Sequence, residues 1–210
     1  MTWSNNGLCG SITSKISGTG LTLTCSNRAL NAGEVGVLLI AGDNLTTVDA
    51  ASSDHLTVTD SAGNNWTKQY EYTNGDVAGD GCTISVWTTI AASTIPITTG
   101  TVSISFLAAI TAKAATLESF SIQSGNSLVQ VGLTALAEDA ADASSLTISG
   151  LDLHEQLFLR AVASERNVGS FTPTTNYTAF TSAATSGGGG RNQYGGVRGM
   201  AHTECQREHK

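Results

Sequence analysis

The residues of this sequence that could do chemistry are sparse, and one group of oxygen side chains lies at positions 74–80. Asn74, Asp76 and Asp80 are spaced so that they could contact a calcium ion. A complete calcium loop would also carry a bidentate Glu at its far end, and none follows here. Because Asn, Asp and Gly also supply ordinary turn geometry, the pattern favours a solvated hairpin loop and leaves calcium binding open.

A second candidate for metal binding lies near the C-terminus, where His202, Cys205 and His209 stand close together. A zinc site needs three or four ligands, and no paired motif such as C-x-x-C completes the set. On a strand, His202 and Cys205 would also point to opposite faces. We therefore predict a polar tail with one buried thiol, and no metal-binding or cofactor-binding residues.

Nucleophilic catalysis has no support in the sequence. Asp54, His55 and Ser61 are the residue types of a catalytic triad, but no G-x-S-x-G elbow marks a positioned nucleophile. The acidic segment 138–142 does not define a glycosidase pair, and the glycine run 187–190 lacks the Lys-Ser/Thr of a phosphate loop. We predict that the protein is not an enzyme and has no catalytic residues.

Aromatic side chains offer a candidate binding surface of the kind on which sugars stack. Trp66, Tyr70 and Tyr72 fall on one face of a period-two segment, and aromatics at strand spacing usually belong to a core. Trp87 stands opposite the apolar face of its own segment. We therefore predict Trp87 to be the better exposed of the four.

Most of these side chains belong to residues 55–90, three extended segments separated by two polar turns that contain glycine. In the last segment Cys82, Ile84 and Val86 alternate with hydroxyl residues. A period of two is the signature of half-buried strands, and the turn residues fit hairpins. We predict that this block forms an antiparallel sheet.

Similar short segments recur along the chain at intervals of roughly 8–12 residues. The run 35–41 is apolar on both faces and predicts a central strand covered on both sides. Residues 135–143 fit either a helical turn or a loop. The pattern predicts an all-β fold, an antiparallel, jelly-roll-like β-sandwich of about ten to twelve strands. Lys68 and Lys113 are candidates for protecting its edges.

The length of 210 residues is compatible with a single domain over residues 1–210. Within it, residues 1–17 are polar and small, and fit either an arm or a lead-in strand. Residues 186–210 combine a glycine-rich loop, the last strand and a tail.

The net charge and the N-terminal sequence argue against several kinds of partner. The net charge is −7 with only ten Lys and Arg residues, so non-specific nucleic-acid binding is not expected. The N-terminus has no apolar h-region, and no apolar run is long enough for a bilayer. We expect cytosolic synthesis and no membrane association. The cysteines Cys9, Cys25, Cys82 and Cys205 allow three disulfide connectivities; a reducing cytosol favours free thiols and leaves their state open.

Several stretches together resemble a family of small β-sandwich virion proteins encoded by tailed bacteriophages. The segments that carry the likeness are SITSKISGTGLTLT, VTDSAGNNWTKQYEYTNG, SVWTTI, GTVSISF, TAKAATLESFSI, LRAVASERN, FTPTTNYTAF and GGVRGM. These motifs are turns and strands, and they bring no catalytic or metal residues with them.

The resemblance implies a non-enzymatic virion structural protein that is assembled in the host cytoplasm. As a capsid decoration (cement) protein or head fibre it would contact the major capsid protein or other virion proteins, as a homo-oligomer, with segments 1–17 and 186–210 docking onto neighbours. The alternative is a carbohydrate-binding receptor module of a tail fibre, which would bind a host-surface glycan through Trp87, the loop 74–81 and Tyr177. The position on the particle, the oligomeric state and the receptor stay open.

Overall fold

The computed structural model describes residues 4–43, 55–73, 82–121, 156–164, 178–179, 183–185 and 196–204. Within these ranges the chain is all-β and contains no helix. The strands are β1 (Ser4–Ser14), β2 (Gly18–Thr24), β3 (Glu34–Asp43), β4 (Leu56–Asp60), β5 (Thr67–Thr73), β6 (Cys82–Ile90), β7 (Thr101–Ile110), β8 (Lys113–Ser121), β9 (Gln156–Ser164), β10 (Thr178–Ala179), β11 (Ala183–Ala184) and β12 (Gly196–Glu204). The segment 135–143 lies outside the described residues.

The first eight strands form two antiparallel sheets. The five-stranded sheet has the order β1-β8-β3-β6-β5, and the three-stranded sheet has the order β2-β7-β4. The pairing is nested, because β1 pairs with β8, β2 with β7 and β3 with β6. The expected innermost pair, β4 with β5, does not form; β5 pairs with β6 and β4 with β7. The N-terminal segment, for which an arm and a strand were both open, thus provides the edge strand β1.

A third sheet lies against the other face of the five-stranded sheet. It consists of β9 and β12 in antiparallel pairing, with the two-residue strands β10 and β11 also on β12. Strand β12 contacts β3 and β8, and β9 contacts β6. Ala183 and Ala161 pack into an apolar cluster with Val35, Val37 and Leu39 of β3.

Strand β3 is consequently buried on both faces, which confirms the prediction for residues 35–41. Leu38 and Ile40 face the core between the five-stranded and three-stranded sheets. Val37 and Leu39 point the other way, into the cluster beneath the third sheet. A strand that is apolar on both faces can only be stable in such a position, since each face must be removed from water.

The predicted hairpin between the first two segments of the 55–90 block is wrong, because β4 and β5 belong to different sheets. The side chain of Asp60 organises the connection from β4 in one sheet to β5 in the other. Its Oδ1 accepts hydrogen bonds from the backbone N–H groups of Ala62 (2.7 Å) and Asn64 (3.3 Å), and its Oδ2 accepts one from Trp66 Nε1 (2.7 Å). A carboxylate that binds groups two, four and six residues ahead curls the chain into a wide turn instead of a tight hairpin. The second predicted hairpin, β5 with β6, is confirmed.

Lys113 does not protect an edge as predicted, because β8 lies between β1 and β3. Its side chain is 1% exposed. Lys113 Nζ donates to the carbonyl oxygens of Ile16 (2.7 Å), Gly18 (2.9 Å) and Ile110 (2.8 Å), so three acceptors match the three N–H groups of an ammonium. This lysine connects the β1–β2 turn to the end of β7.

None of the described ranges contains a helix that could span a bilayer.

Candidate functional site

The main polar group in the described interior lies where edge strand β5 of the five-stranded sheet approaches the start of β4. The Glu71 cluster consists of Glu71, His55 and Lys68. Glu71 is fully buried (0% exposed), and its Oε1 accepts a 2.7 Å hydrogen bond from the backbone N–H of His55. His55 Nδ1 lies 3.2 Å from the same oxygen, and Lys68 Nζ lies 3.4 Å from Oε2.

Burial dominates the electrostatics of the Glu71 cluster. Removal from water raises the pKa of Glu71 above its ordinary value, against the opposing effects of the His55 N–H and the Lys68 ammonium. A carboxyl group in this setting takes up a proton more readily than an exposed glutamate does.

Hydroxyl groups extend the cluster along the inner face of β5 and β6. The hydroxyls of Thr73 and Thr83 lie 2.6 Å apart. Ser85 Oγ donates to the carbonyl oxygen of Tyr70 (3.1 Å) and accepts from Trp87 Nε1 (2.7 Å). These contacts give hydrogen-bond partners to polar atoms that this face brings into the core. A polar inner face is therefore compatible with a stable fold.

The chemistry open to this arrangement is limited by its closure. The Glu71 cluster holds an acid, an imidazole and an ammonium, but Glu71 has no exposed surface through which a substrate could reach it. Ser61, the nucleophile candidate, accepts a hydrogen bond from the backbone N–H of Thr101 at 3.0 Å. It follows β4, whereas His55 precedes it, and a strand of this length separates its ends by about 17 Å. Asp54 lies outside the described residues. His55 and Ser61 are therefore not brought together.

The prediction that Trp87 is exposed is wrong. Trp87 is 9% exposed, and it packs in the core between the two sheets. The hydroxyl-bearing face of β6 points inward, while Ile84 and Val86 are half-buried on the opposite face and Ile90 is exposed. Trp87 therefore cannot serve as a platform for a sugar ring.

The second aromatic prediction also fails, because Trp66, Tyr70 and Tyr72 do not share a buried face. A bulge between Lys68 and Tyr70 interrupts the period of β5. Trp66 packs against the core between the sheets. Tyr70 and Tyr72 pair with Val86 and Ile84 on the other face, where all four are half-buried; Trp66, before the bulge, is on the core side.

A second polar group centres on Glu34 at the start of β3. Glu34 Oε1 accepts hydrogen bonds from Arg28 Nη2 (2.8 Å) and Asn6 Nδ2 (3.1 Å), and Oε2 accepts from the backbone N–H of Asn31 (2.9 Å) and from Ser119 Oγ (2.9 Å). Burial acts to raise the pKa of Glu34, but the hydrogen bonds from Asn31, Arg28 and Ser119 outweigh it and lower that pKa. Every one of these contacts joins strands or turns, so the role is structural.

In the part of the chain that the structure describes, no three His, Cys, Asp or Glu side chains are grouped so that they could hold a metal ion. The calcium candidate 74–80, Cys205 and His209 lie outside the described residues, and His202 is placed on β12 opposite Phe158. Cys9, Cys25 and Cys82 do not form disulfides in the structure.

Large apolar side chains are exposed at the end of the sheets where β2 and β4 begin and β7 ends. Ile16, in the β1–β2 turn, is 80% exposed, and Leu107, near the end of β7, is 73% exposed. The backbone of each residue is hydrogen-bonded: Lys113 Nζ donates to the Ile16 carbonyl, and the Leu107 N–H donates to the His55 carbonyl at 2.8 Å. Ala108 and Ala109 beside Leu107 are also exposed. This apolar end (Ile16 and residues 107–109) is therefore anchored to the sheets by hydrogen bonds to its backbone.

Sequence reasoning missed both the Glu71 cluster and the apolar end. Glu71 alternates with Tyr70 and Tyr72, so its position on the hydroxyl-bearing face could be read from the period of two, but its burial could not. Ile16 stands alone between Lys15 and Ser17 in the sequence, where nothing marks it as exposed. Comparisons of the chain with protein-family models, with curated proteins and with solved structures return no match.

Proposed function

We propose that the protein is a non-enzymatic structural component of a tailed-phage virion that binds the particle surface as a capsid decoration (cement) protein or head fibre. In this proposal the first eight strands are a jelly-roll-like sandwich, the chain is a homo-oligomer on the particle, and its partners are the major capsid protein or other virion proteins.

The observation that carries the proposal is the nested strand pairing. In an eight-stranded jelly roll, antiparallel pairs are nested within one another and wrap into two sheets, an architecture that recurs in viral capsid and lectin domains. Three nested pairs, β1 with β8, β2 with β7 and β3 with β6, support this reading. The step from this strand arrangement to a role in a capsid is made by analogy with such domains. The resemblance of the sequence to phage virion proteins supports the same role.

The use of charge inside the sandwich supports a passive scaffold. Glu71, Glu34 and Lys113 each bind groups from separate strands or turns, so these side chains stabilise the fold through contacts within the protein. The apolar end then supplies a candidate contact with the shell, because exposed apolar groups on a rigid support are suited to the centre of an interface. Residues 4–14 are engaged in β1, so docking at the N-terminus would use the turn 15–17 and not a free arm.

The first experiment is to count copies of the protein in purified particles of the encoding phage by quantitative mass spectrometry, relative to the major capsid protein. Hundreds of copies per particle support a decoration protein, and a few dozen support a head fibre. Absence from the particle overturns the proposal.

The contact surface has a matched test. The double variant Ile16→Asp/Leu107→Asp is expected to lose co-sedimentation with particles that lack the protein, while thermal stability stays close to wild type because both side chains are exposed. Ile97→Asp is the control, since Ile97 is 46% exposed and lies in the β6–β7 connection at the opposite end. Equal binding by all three proteins would remove the apolar end as the contact.

The second candidate is a carbohydrate-binding module of a tail fibre. The observation that favours it is the half-buried pair Tyr70 and Tyr72, which would take the place of the buried Trp87 as the surface for a sugar ring. Two residues apart on one face of an edge strand, their Cα atoms are separated by about 7 Å, a spacing compatible with one sugar unit. Saturable binding on a glycan array that Tyr72→Ala abolishes and Trp66→Phe preserves would support this candidate. The Tyr177 and 74–81 parts of the original hypothesis lie outside the described residues.

A further inference from the structure

Cys9 and Cys25 lie in the same apolar cluster between the five-stranded and three-stranded sheets, and both are fully buried. Cys9 belongs to β1, an edge strand of the five-stranded sheet, and Cys25 directly follows β2, an edge strand of the three-stranded sheet. The two thiols therefore stand on separate sheets that are held together by packing at this side of the molecule.

The backbone brings the two cysteines close to each other. Cys9 sits in a bulge of β1 between Leu8 and Gly10. Its carbonyl, turned away from β8, accepts the N–H groups of Asn27 (2.9 Å) and Arg28 (3.4 Å). On the other side, Gly10 lies so close to Thr24 that an added Cβ would overlap the Thr24 carbonyl oxygen. The Cys9 segment thus contacts the chain on both sides of Cys25.

We propose that Cys9 and Cys25 form an intramolecular disulfide when the protein meets an oxidant, and that this bond joins the two sheets at the edge formed by β1 and β2. Neither Cys82, on β6, nor Cys205 takes part. The inference rests on the geometry of this chain alone and is independent of the proposed function.

The reaction is thiol–disulfide exchange with a small disulfide such as oxidised glutathione. The thiolate of one cysteine attacks a sulfur of the reagent, forms a mixed disulfide and releases one reagent thiolate; the second cysteine thiolate then attacks the protein sulfur of the mixed disulfide and releases the other. Two protein thiols are oxidised, one reagent disulfide is reduced to two thiols, and the two protons pass to the released thiolates.

The rate of this exchange is expected to be low near neutral pH. Burial raises the pKa of Cys9 to about 12 and that of Cys25 to about 11, and only the thiolate attacks. Oxidation should therefore accelerate as the pH rises from 7 to 9 and as the edge strand β1 opens locally.

The bond should make the folded protein more stable, since it closes residues 9–25 into a ring and restricts the unfolded chain. A ring of this size raises Tm by roughly 6–12 °C for a domain of this length. Adding dithiothreitol should return Tm to its reduced value.

The test oxidises the full-length protein with oxidised glutathione at pH 8.5 and maps the disulfides without reduction. Trypsin separates the four cysteines, since cleavage after Lys15, Arg28, Lys68 and later basic residues places them in peptides 1–15, 16–28, 69–113 and 199–207. The expected product is peptide 1–15 joined to peptide 16–28, together with the rise in Tm. Cys82→Ala should keep both results, and Cys25→Ala should lose both.

Two outcomes overturn the inference. One is that peptides 1–15 and 16–28 stay unlinked after prolonged oxidation in 1–2 M urea, where local opening is frequent but the fold persists by circular dichroism. The other is that the linked peptides include 69–113 or 199–207 in preference to the expected pair. Because the test uses the wild-type chain, a variant that fails to fold does not affect it.

Discussion

Glu71 Oε1 accepts the backbone N–H of His55 at 2.7 Å, and this bond joins the edge strand of the five-stranded sheet to the start of β4 in the three-stranded sheet. In the nested strand arrangement, β4 and β5 would be expected to pair by a ladder of backbone hydrogen bonds. One buried carboxylate takes the place of that ladder at this end. On the side between β4 and β5, a side-chain contact therefore links the two sheets where paired backbone would be expected.

Replacing Glu71 with Ala is expected to destabilise the protein by about 2–4 kcal/mol, because the part-buried N–H of His55 loses the acceptor Glu71 Oε1 and the ion pair between Lys68 and Glu71 is removed. Urea denaturation at pH 7, followed by circular dichroism, measures the change. Glu71→Gln retains an acceptor for the His55 N–H and should lose less than half as much. Equal stability of Glu71→Ala and wild type would show that the contact does not hold β4 to β5.

Lys113→Met should be at least as harmful. The substitution preserves the volume of the aliphatic chain but removes the donors to three carbonyl oxygens, those of Ile16, Gly18 and Ile110. Leaving such acceptors unsatisfied costs about 3–5 kcal/mol in total. Lys15→Met, at an exposed position of the adjacent turn, is the control and should change the unfolding free energy by less than about 0.5 kcal/mol. A fall of Tm in the control as large as in Lys113→Met would contradict this account.

Gly10→Ala tests the close approach of β1 to the end of β2. The new methyl group would overlap the Thr24 carbonyl oxygen and would also meet Leu23 Cδ2 at 3.2 Å, and backbone cannot move as freely as a side chain. We expect a loss of more than about 2 kcal/mol, by analogy with other overpacked sites, measured as a lower midpoint of thermal unfolding. Gly18→Ala is the matched control, since no atom lies within 4 Å of the Cβ it would add.

The parts of the fold that could be predicted are those that local pattern decides. Residues 35–41 are apolar at every side chain, which requires cover on both faces, and β3 has it. The alternation of Val102, Ile104 and Phe106 with serines in β7 is a pattern of the same local kind, and these three side chains are buried. In each case the identity of the buried residues follows from the sequence without knowledge of the neighbouring strands.

The candidate site was predicted poorly because period-two alternation says which residues share a face and not which face is buried. On β6 the hydroxyl face with Trp87 lies inward, next to Leu38 and Ile40, and its polar atoms are satisfied by one another. The partners of Glu71 depend on the wide turn at Asp60, which sends β4 and β5 into different sheets. Such contacts arise from the assembly of the sheets and leave no local signal.

The buried Glu71 and the half-buried Glu34 should respond to pH in opposite directions. The folded-state pKa of Glu71 lies above its ordinary value of 4.5. The stability that comes from this difference in pKa is therefore complete below pH 4.5 and is lost as the pH rises through the folded-state pKa. The folded-state pKa of Glu34 lies below 4.5. Its contribution is therefore present above pH 4.5 and is lost as the pH falls through the folded-state pKa.

Unfolding free energies of wild type, Glu71→Gln and Glu34→Gln between pH 3 and pH 8 test this contrast. The stability of wild type relative to Glu34→Gln should increase from pH 3 to pH 5, because only the wild type carries the carboxylate that Arg28 and Asn31 bind. Relative to Glu71→Gln, the wild type should become less stable as the pH rises above 4.5, because ionising Glu71 places a charge in a site without exposed surface. If both differences changed in the same direction with pH, this would contradict the account in which burial raises the pKa of Glu71 and hydrogen bonds lower the pKa of Glu34.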